Sequence, residues 1–122
     1  MSKRMIENDH LIISDENDVR ILTIGEAFDE DRVTLSLAGN VNMGVAHDFE
    51  DELTAAASVC DKIIVDFTDV EAISSVGIKA LLMVQRTLDK RADSMLKLTG
   101  MKKAVYEMFD EMGFVDLFEI EN

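Results

Sequence analysis

Segments with a helical apolar period alternate with short β-branched runs from about residue 45 to the end of this chain, and that alternation limits its fold to few arrangements. Phe49, Leu53, Ala56, Ala57 and Cys60 recur as one face of a helix. Ile63-Ile64-Val65 follows as a short buried strand. Ile78, Leu81, Leu82, Gln85 and Leu88 trace a second helical face, and Ser94–Gly100 reads as another strand. A third helix carries Ala104, Val105, Met108, Phe109 and Met112 and ends at Gly113, a residue suited to a helix C-cap. Val115–Ile120 reads as the last strand. A helix between two strands implies a crossover, which lays the strands parallel and the helix against the sheet. Upstream, Val19–Ile24 and Val33–Gly39 flank the acidic turn Asp29-Glu30-Asp31 and predict a hairpin. The predicted order is β-β-α-β-α-β-α-β, an α/β fold with helices packed against a mixed sheet. No proline interrupts these segments.

A length of 122 residues, 48% of them hydrophobic, suits a single domain with its own core. Residues 1–17 are polar and charged around Leu11-Ile12-Ile13 and predict a loose lead-in with at most one short edge strand. The domain proper is placed at 18–122. Asn40-Val41-Asn42-Met43-Gly44 has turn chemistry and predicts a loop. There is no run of about 18 apolar residues and no apolar signal region, so the expectation is a cytoplasmic protein without a membrane span. The lone Cys60 agrees with a reducing compartment and is read as a structural thiol. Against 12 basic residues stand 25 acidic ones, and the net charge of −13 repels nucleic acid and anionic membranes.

Catalytic chemistry finds no foothold. His10 and His47 stand apart, each without a nucleophile or a ligand cluster in the sequence around it. The many carboxylates follow from the composition, and the glycines are too scattered to cradle a phosphate. Asp66 and Lys97 superficially match a phospho-aspartate receiver, but no acidic pair follows the first strand. The expectation is therefore a non-enzymatic protein with no catalytic residue, no metal site and no cofactor.

What remains is Ser74-Ser75-Val76-Gly77, set between the strand ending Asp66-Phe67-Thr68-Asp69-Val70 and the second helix. A serine at a helix start meets unbonded backbone N–H groups and the positive end of the helix dipole. That place suits a plain N-cap or an added phosphate. Ser75 is taken as the capping residue. Thr68, Asp69, Glu71, Ser74, Lys79 and the Asn40–Asn42 loop are expected around one strand-end rim, where open sheets commonly carry their sites. Lys79, Arg86 and Lys90 share a helical face, either a docking edge or a solvated basic surface. Met108 and Met112 fit the core, while Met83 and Met95 are candidates to reach a partner.

On these residues the chain resembles the STAS domain family, and within it the stand-alone bacterial anti-sigma-factor antagonists, from about Val19 to Ile120. Val65–Val70 resembles the family's strand-end motif, Ile73–Leu82 its phosphorylation-site segment and Ala104–Phe114 its third-helix ending. Gly39-Asn40-Val41-Asn42 lies where the family has glycine followed by an aspartate-bearing turn. Ser74 stands where many antagonists have aspartate, Val76 replaces a small residue, and Asn42 replaces the turn aspartate.

The resemblance implies a switch: binding to an anti-sigma factor, often itself a serine kinase, and release when Ser75 is phosphorylated. A separate serine phosphatase would reset it. Rim and resemblance together give an expected contact set of Ser74, Val76, Lys79, Asn40, Asn42, Thr68, Asp69 and Arg86 on a monomer or weak dimer. The other reading is a constitutive STAS subunit of a stress-signalling assembly or a transporter ATPase, with Ser75 a contact residue that never turns over.

Overall fold

Strand pairing lines up the alternating apolar residues in rows on one face of a single sheet. A computed structural model describes residues 3–7, 10–15, 17 and 19–121. The strands are β1 (Lys3–Glu7), β2 (His10–Ser14), β3 (Arg20–Asp29), β4 (Arg32–Val41), β5 (Lys62–Ile73), β6 (Met95–Thr99) and β7 (Glu119–Glu121). Their order in the sheet is their order in the chain. β1 to β4 pair antiparallel; β4 to β7 pair parallel. α1 (Ala46–Val59), α2 (Ser75–Asp89) and α3 (Lys103–Glu111) fill the three crossovers.

Leu11, Ile24 and Leu37 form one row, Leu35, Val65 and Leu98 the next, and Val33, Ile63 and Leu96 a third, all buried. Parallel strands added in one direction through right-handed crossovers put every connecting helix on the same face. Phe49 and Leu53 of α1, Ile78, Leu81 and Leu88 of α2, and Val105 and Phe109 of α3 accordingly join one core with these rows. Phe109 meets Phe67 and Phe118 edge-on, with ring centroids 6.4 and 5.5 Å apart. On the opposite face Thr23, Thr34, Ile64 and Lys97 are half-buried and Ser36 is exposed.

The fold class matches the sequence expectation, and four local readings change. The 1–17 segment holds two strands, β1 and β2, so the order is β-β-β-β-α-β-α-β-α-β. Leu11, Ile12 and Ile13 carry too little periodic signal alone, but pairing with Leu22–Ile24 buries all three. Asn40 and Val41 are not loop residues: they finish β4, opposite Ala72 and Ile73 of β5. β5 is correspondingly long, 12 residues, and runs on far past Val65. Finally, Val115–Leu117 is a 3-10 turn, leaving only Glu119–Glu121 as the last strand.

Gly39 makes the β3–β4 approach possible. Its φ is +114°, and a Cβ there would lie 2.1 Å from the Ile21 carbonyl oxygen. Among the described residues no helix is long and apolar enough to cross a membrane.

Candidate functional site

β4 and β5 end side by side, with Val41 opposite Ile73, and the chain enters α2 directly from this rim. The Ser74 N–H donates to the Val41 carbonyl at 2.8 Å, extending the parallel ladder by one bond. That bond holds Ser74 extended (φ −85°, ψ 164°), so its side chain can turn over the helix that follows. Its Oγ accepts from the Gly77 N–H at 3.2 Å. The cap is therefore Ser74, not Ser75 as the sequence suggested; β5 reaching Ile73 shifts the helix start by one position. Ser75 is the first helical residue and half-buried. Among the described residues none hydrogen-bonds its hydroxyl. The opening turn still carries amides with no intrahelical acceptor.

Gly77 lets α2 sit down on the rim. A Cβ there would come within 2.8 Å of Val41 Cγ1 and 3.0 Å of Ile73 Cγ1. On the other side, the Asn42 side-chain oxygen accepts from the Val45 N–H at 3.2 Å, closing the turn into α1. Asn40, Val41, Asn42, Ala72, Ile73 and Ser74 line a cleft of about 410 Å³. Asn40, Asn42 and Ala72 are exposed there, and Ser74 is half-buried. Ala72 has no part in the sequence reading and Ile73 enters it only as the start of the Ile73–Leu82 segment, because only the true end of β5 brings them to the rim.

Thr68 and Asp69 do not reach this place. At about 3.3 Å per residue, the stretch from Thr68 to Ser74 sets Thr68 roughly 20 Å away along the strand. Thr68 instead closes a turn with Asp66, donating to Asp66 Oδ1 from its N–H at 2.9 Å and from Oγ1 at 2.6 Å. It packs at Gly100, beyond the end of β6. Asp69 is exposed opposite Ala38. Glu71 is committed to an ion pair with Lys102.

The exposed face of α2 continues the rim. Val76, Lys79, Met83, Arg86 and Lys90 fall at helical spacing on one side, all exposed. Lys79 lies about one turn from Ser75 and Arg86 about three turns, roughly 16 Å along the axis. Among the described residues Arg20 of β3 and, together on α2, Lys79, Arg86 and Lys90 make no ion pair, whereas Arg4, Arg32, Lys62, Arg91, Lys97, Lys102 and Lys103 all do. Val76 and Met83 are 40% and 56% exposed within this basic stripe. No group of three or more metal-ligating side chains occurs among the described residues.

Residues 24–119 match the family model described as the Mlab, STAS domain. No curated protein sequence matches the chain. Among solved structures, an anti-sigma factor antagonist from Mycobacterium paratuberculosis superposes with a TM-score of 0.74 at 19% identity, covering 88% of each chain. The anti-sigma factor antagonist SpoIIAA in its unphosphorylated form gives 0.69 at 16% identity, covering 81% of this chain and 88% of that one. A sulfate transporter family protein from Wolinella succinogenes gives 0.64 at 21% identity, covering 77% and 79%. At these identities the likeness is one of fold.

Proposed function

The chain belongs to the STAS domain family, and from that premise we propose that it is a cytoplasmic regulatory module, an anti-sigma-factor antagonist whose partner is an anti-sigma factor with serine kinase activity. In this reading the unphosphorylated chain binds, phosphorylation of Ser75 releases it, and a serine phosphatase restores it. The observation that carries the reading is the division of labour between two adjacent serines. Ser74 spends its hydroxyl on the cap, while Ser75 keeps its own uncommitted at the head of an exposed stripe with unpaired cations.

Phosphorylation adds about −1.5 to −2 charges and three acceptor oxygens. The amides of the opening turn and the positive end of the α2 dipole would stabilise that group in place, so the fold need not change. What changes is the docking surface. Lys79, Arg86 and Lys90 attract an acidic partner, and Val76 and Met83 supply apolar contact. A phosphate at Ser75 offsets most of that positive charge and places a strongly hydrated group where the partner must dry the surface. A loss of several kcal/mol is ordinary for such a change, or roughly a hundredfold in affinity. Ser74, Asn40 and Asn42 would shape the adjacent cleft. Thr68 and Asp69 have no part in this contact.

The test is direct. Incubation with ATP and an anti-sigma factor of the serine-kinase type from the same organism should put one phosphate on Ser75, read by mass spectrometry. Ser75→Ala should bind that kinase as the parent does and never be released. Ser75→Glu should bind about tenfold more weakly. Equal binding by the parent and Ser75→Glu would overturn the switch.

A second reading is a constitutive STAS subunit of a stress-signalling assembly or a transporter ATPase. It is supported by the fold's likeness to a sulfate transporter family protein. It expects no phosphate after the kinase incubation and a partner that stays bound throughout.

A further inference from the structure

The two outer strands of the sheet are both short, and their charge patterns differ in kind. β7 reads Glu119-Ile120-Glu121. Antiparallel pairing of β7 with a second copy about Ile120 would set Glu119 against Glu121, like charge against like, which destabilises a ladder. β1 reads Lys3-Arg4-Met5-Ile6-Glu7. The same operation about Met5 sets Lys3 against Glu7 at both ends, Arg4 against Ile6 on either side of the centre, and Met5 against itself. A two-fold interface must be complementary to itself, and this strand meets that demand at its ends and centre, while Arg4, held by Asp48 and Glu52 of α1, brings its aliphatic stem beside Ile6.

We infer that β1 is a homodimerisation edge, on which a second copy of this chain lays its own β1 antiparallel with Met5 on the dyad, joining two seven-stranded sheets into one.

Three observations support the inference. Among the described residues β1 pairs with β2 alone, so its outer backbone groups form an open ladder, and open edges recruit strands. Met5 and Ile6 on that edge are 52% and 78% exposed, unusual for apolar residues in the middle of a strand. Beside them, Ile6, Leu11, Ile24 and Phe28 line a groove of about 380 Å³ bounded by Glu26 and by Glu52 of α1. In the paired state the aliphatic stem of Arg4 from the second copy lies over Ile6 and narrows this groove.

The edge is also locally suited to association in an acidic molecule. Its one acid, Glu7, faces Lys3 of the other copy, and Arg4 is already paired with Asp48, Asp51 and Glu52 of α1, so the edge adds little to the repulsion of a chain of net charge −13. Long-range repulsion between two such chains is largely screened beyond about 8 Å at physiological salt. A five-residue ladder is small beside the interfaces of stable dimers, so the expected dissociation constant is on the order of 10–100 µM. The edge is separate from the Ser75 rim, so the inference stands or falls independently of the phospho-switch.

Sedimentation velocity on the full chain, from about 10 µM to 1 mM, tests it. The parent should shift from monomer to dimer across that range. Met5→Lys puts two ammonium groups at the dyad and should hold the chain monomeric throughout. Glu7→Lys should raise the dissociation constant about fivefold or more, and adding Lys3→Glu to it should restore the parent value. Glu119→Lys on the other edge should change nothing. A parent monomeric at every concentration would overturn the inference. So would a dimer indifferent to Glu7→Lys, or a charge-swapped double variant that fails to recover; these two arms decide even if Met5→Lys perturbs the fold.

Discussion

The strand-end rim and the flank where β1 and β3 meet α1 satisfy their polar groups in opposite ways. At the rim each side-chain bond spans three residues: Ser74 to the Gly77 amide, Asn42 to the Val45 amide. On the flank the partners are distant in sequence and charged. Arg4 of β1 reaches Glu52 at 3.1 Å, Asp48 at 3.3 Å and Asp51 at 4.0 Å, all on α1. Glu26 of β3 shares a hydrogen bond with the same Glu52. Local neutral bonds cost little chain entropy to form and do not titrate. Distant ion pairs depend on the tertiary fold being in place and on pH and salt. The rim's bonds are thus indifferent to pH and salt, whereas the flank's stability follows the solution conditions.

Four substitutions break or sharpen that contrast, the largest effect coming first. Gly77→Val drives a branched side chain into Val41 and Ile73, whose carbons already lie 2.8 and 3.0 Å from the Cβ position. Urea unfolding should show a loss of about 2–3 kcal/mol, since the buried Val41 and Ile73 must shift to make room. The two serines come next. Ser74→Ala removes the cap and should cost about 1 kcal/mol, while Ser75→Ala should cost less than about 0.5. The reverse order in thermal melts would return the cap to Ser75 and remove the argument that its hydroxyl is free for modification.

The smallest effect belongs to the flank and carries a sign. Burial first, and then the hydrogen bond and charge of Glu52, push the Glu26 carboxyl above its ordinary 4.5. The folded chain then holds more protons than the unfolded chain just above that value. Stability from this group is present on the acid side and is lost as pH climbs through the raised range. Glu26 is partly exposed, so the effect is modest. Glu26→Gln should raise the melting temperature at pH 7 by on the order of 2 °C and flatten its slope between pH 5 and 7. An unchanged slope would mean that Arg4 already neutralises the Glu26–Glu52 pair.

Legibility in the sequence followed the range of the interactions. The helices α1, α2 and α3 were readable because Phe49, Leu53 and Ala56, or Ile78, Leu81 and Leu88, repeat their message every turn. The serine segment was readable as a helix start because capping is local chemistry. The cap nonetheless falls one residue before the place that local chemistry suggests, since the choice between Ser74 and Ser75 depends on the true end of β5. That end is set by pairing of Ala72 and Ile73 with Asn40 and Val41, contacts about thirty residues apart in the chain. The same misplaced strand end drew Thr68 and Asp69 into a rim that they never approach. β1 and β2 were hidden for a related reason: a five-residue strand has almost no periodicity, and only its neighbour defines it.

By itself, then, the chain's pattern of apolar residues determined the α/β class, the three crossover helices and the serine-headed turn, because each is encoded by neighbours within one or two turns. Tertiary structure alone decided where β5 stops, which serine is left free, that α2 presents its unpaired cations together, and that a bare, self-complementary strand closes one side of the sheet. Those outcomes depend on backbone groups pairing across distant segments, where the register of a whole strand, not the character of any one residue, selects the side chains that meet.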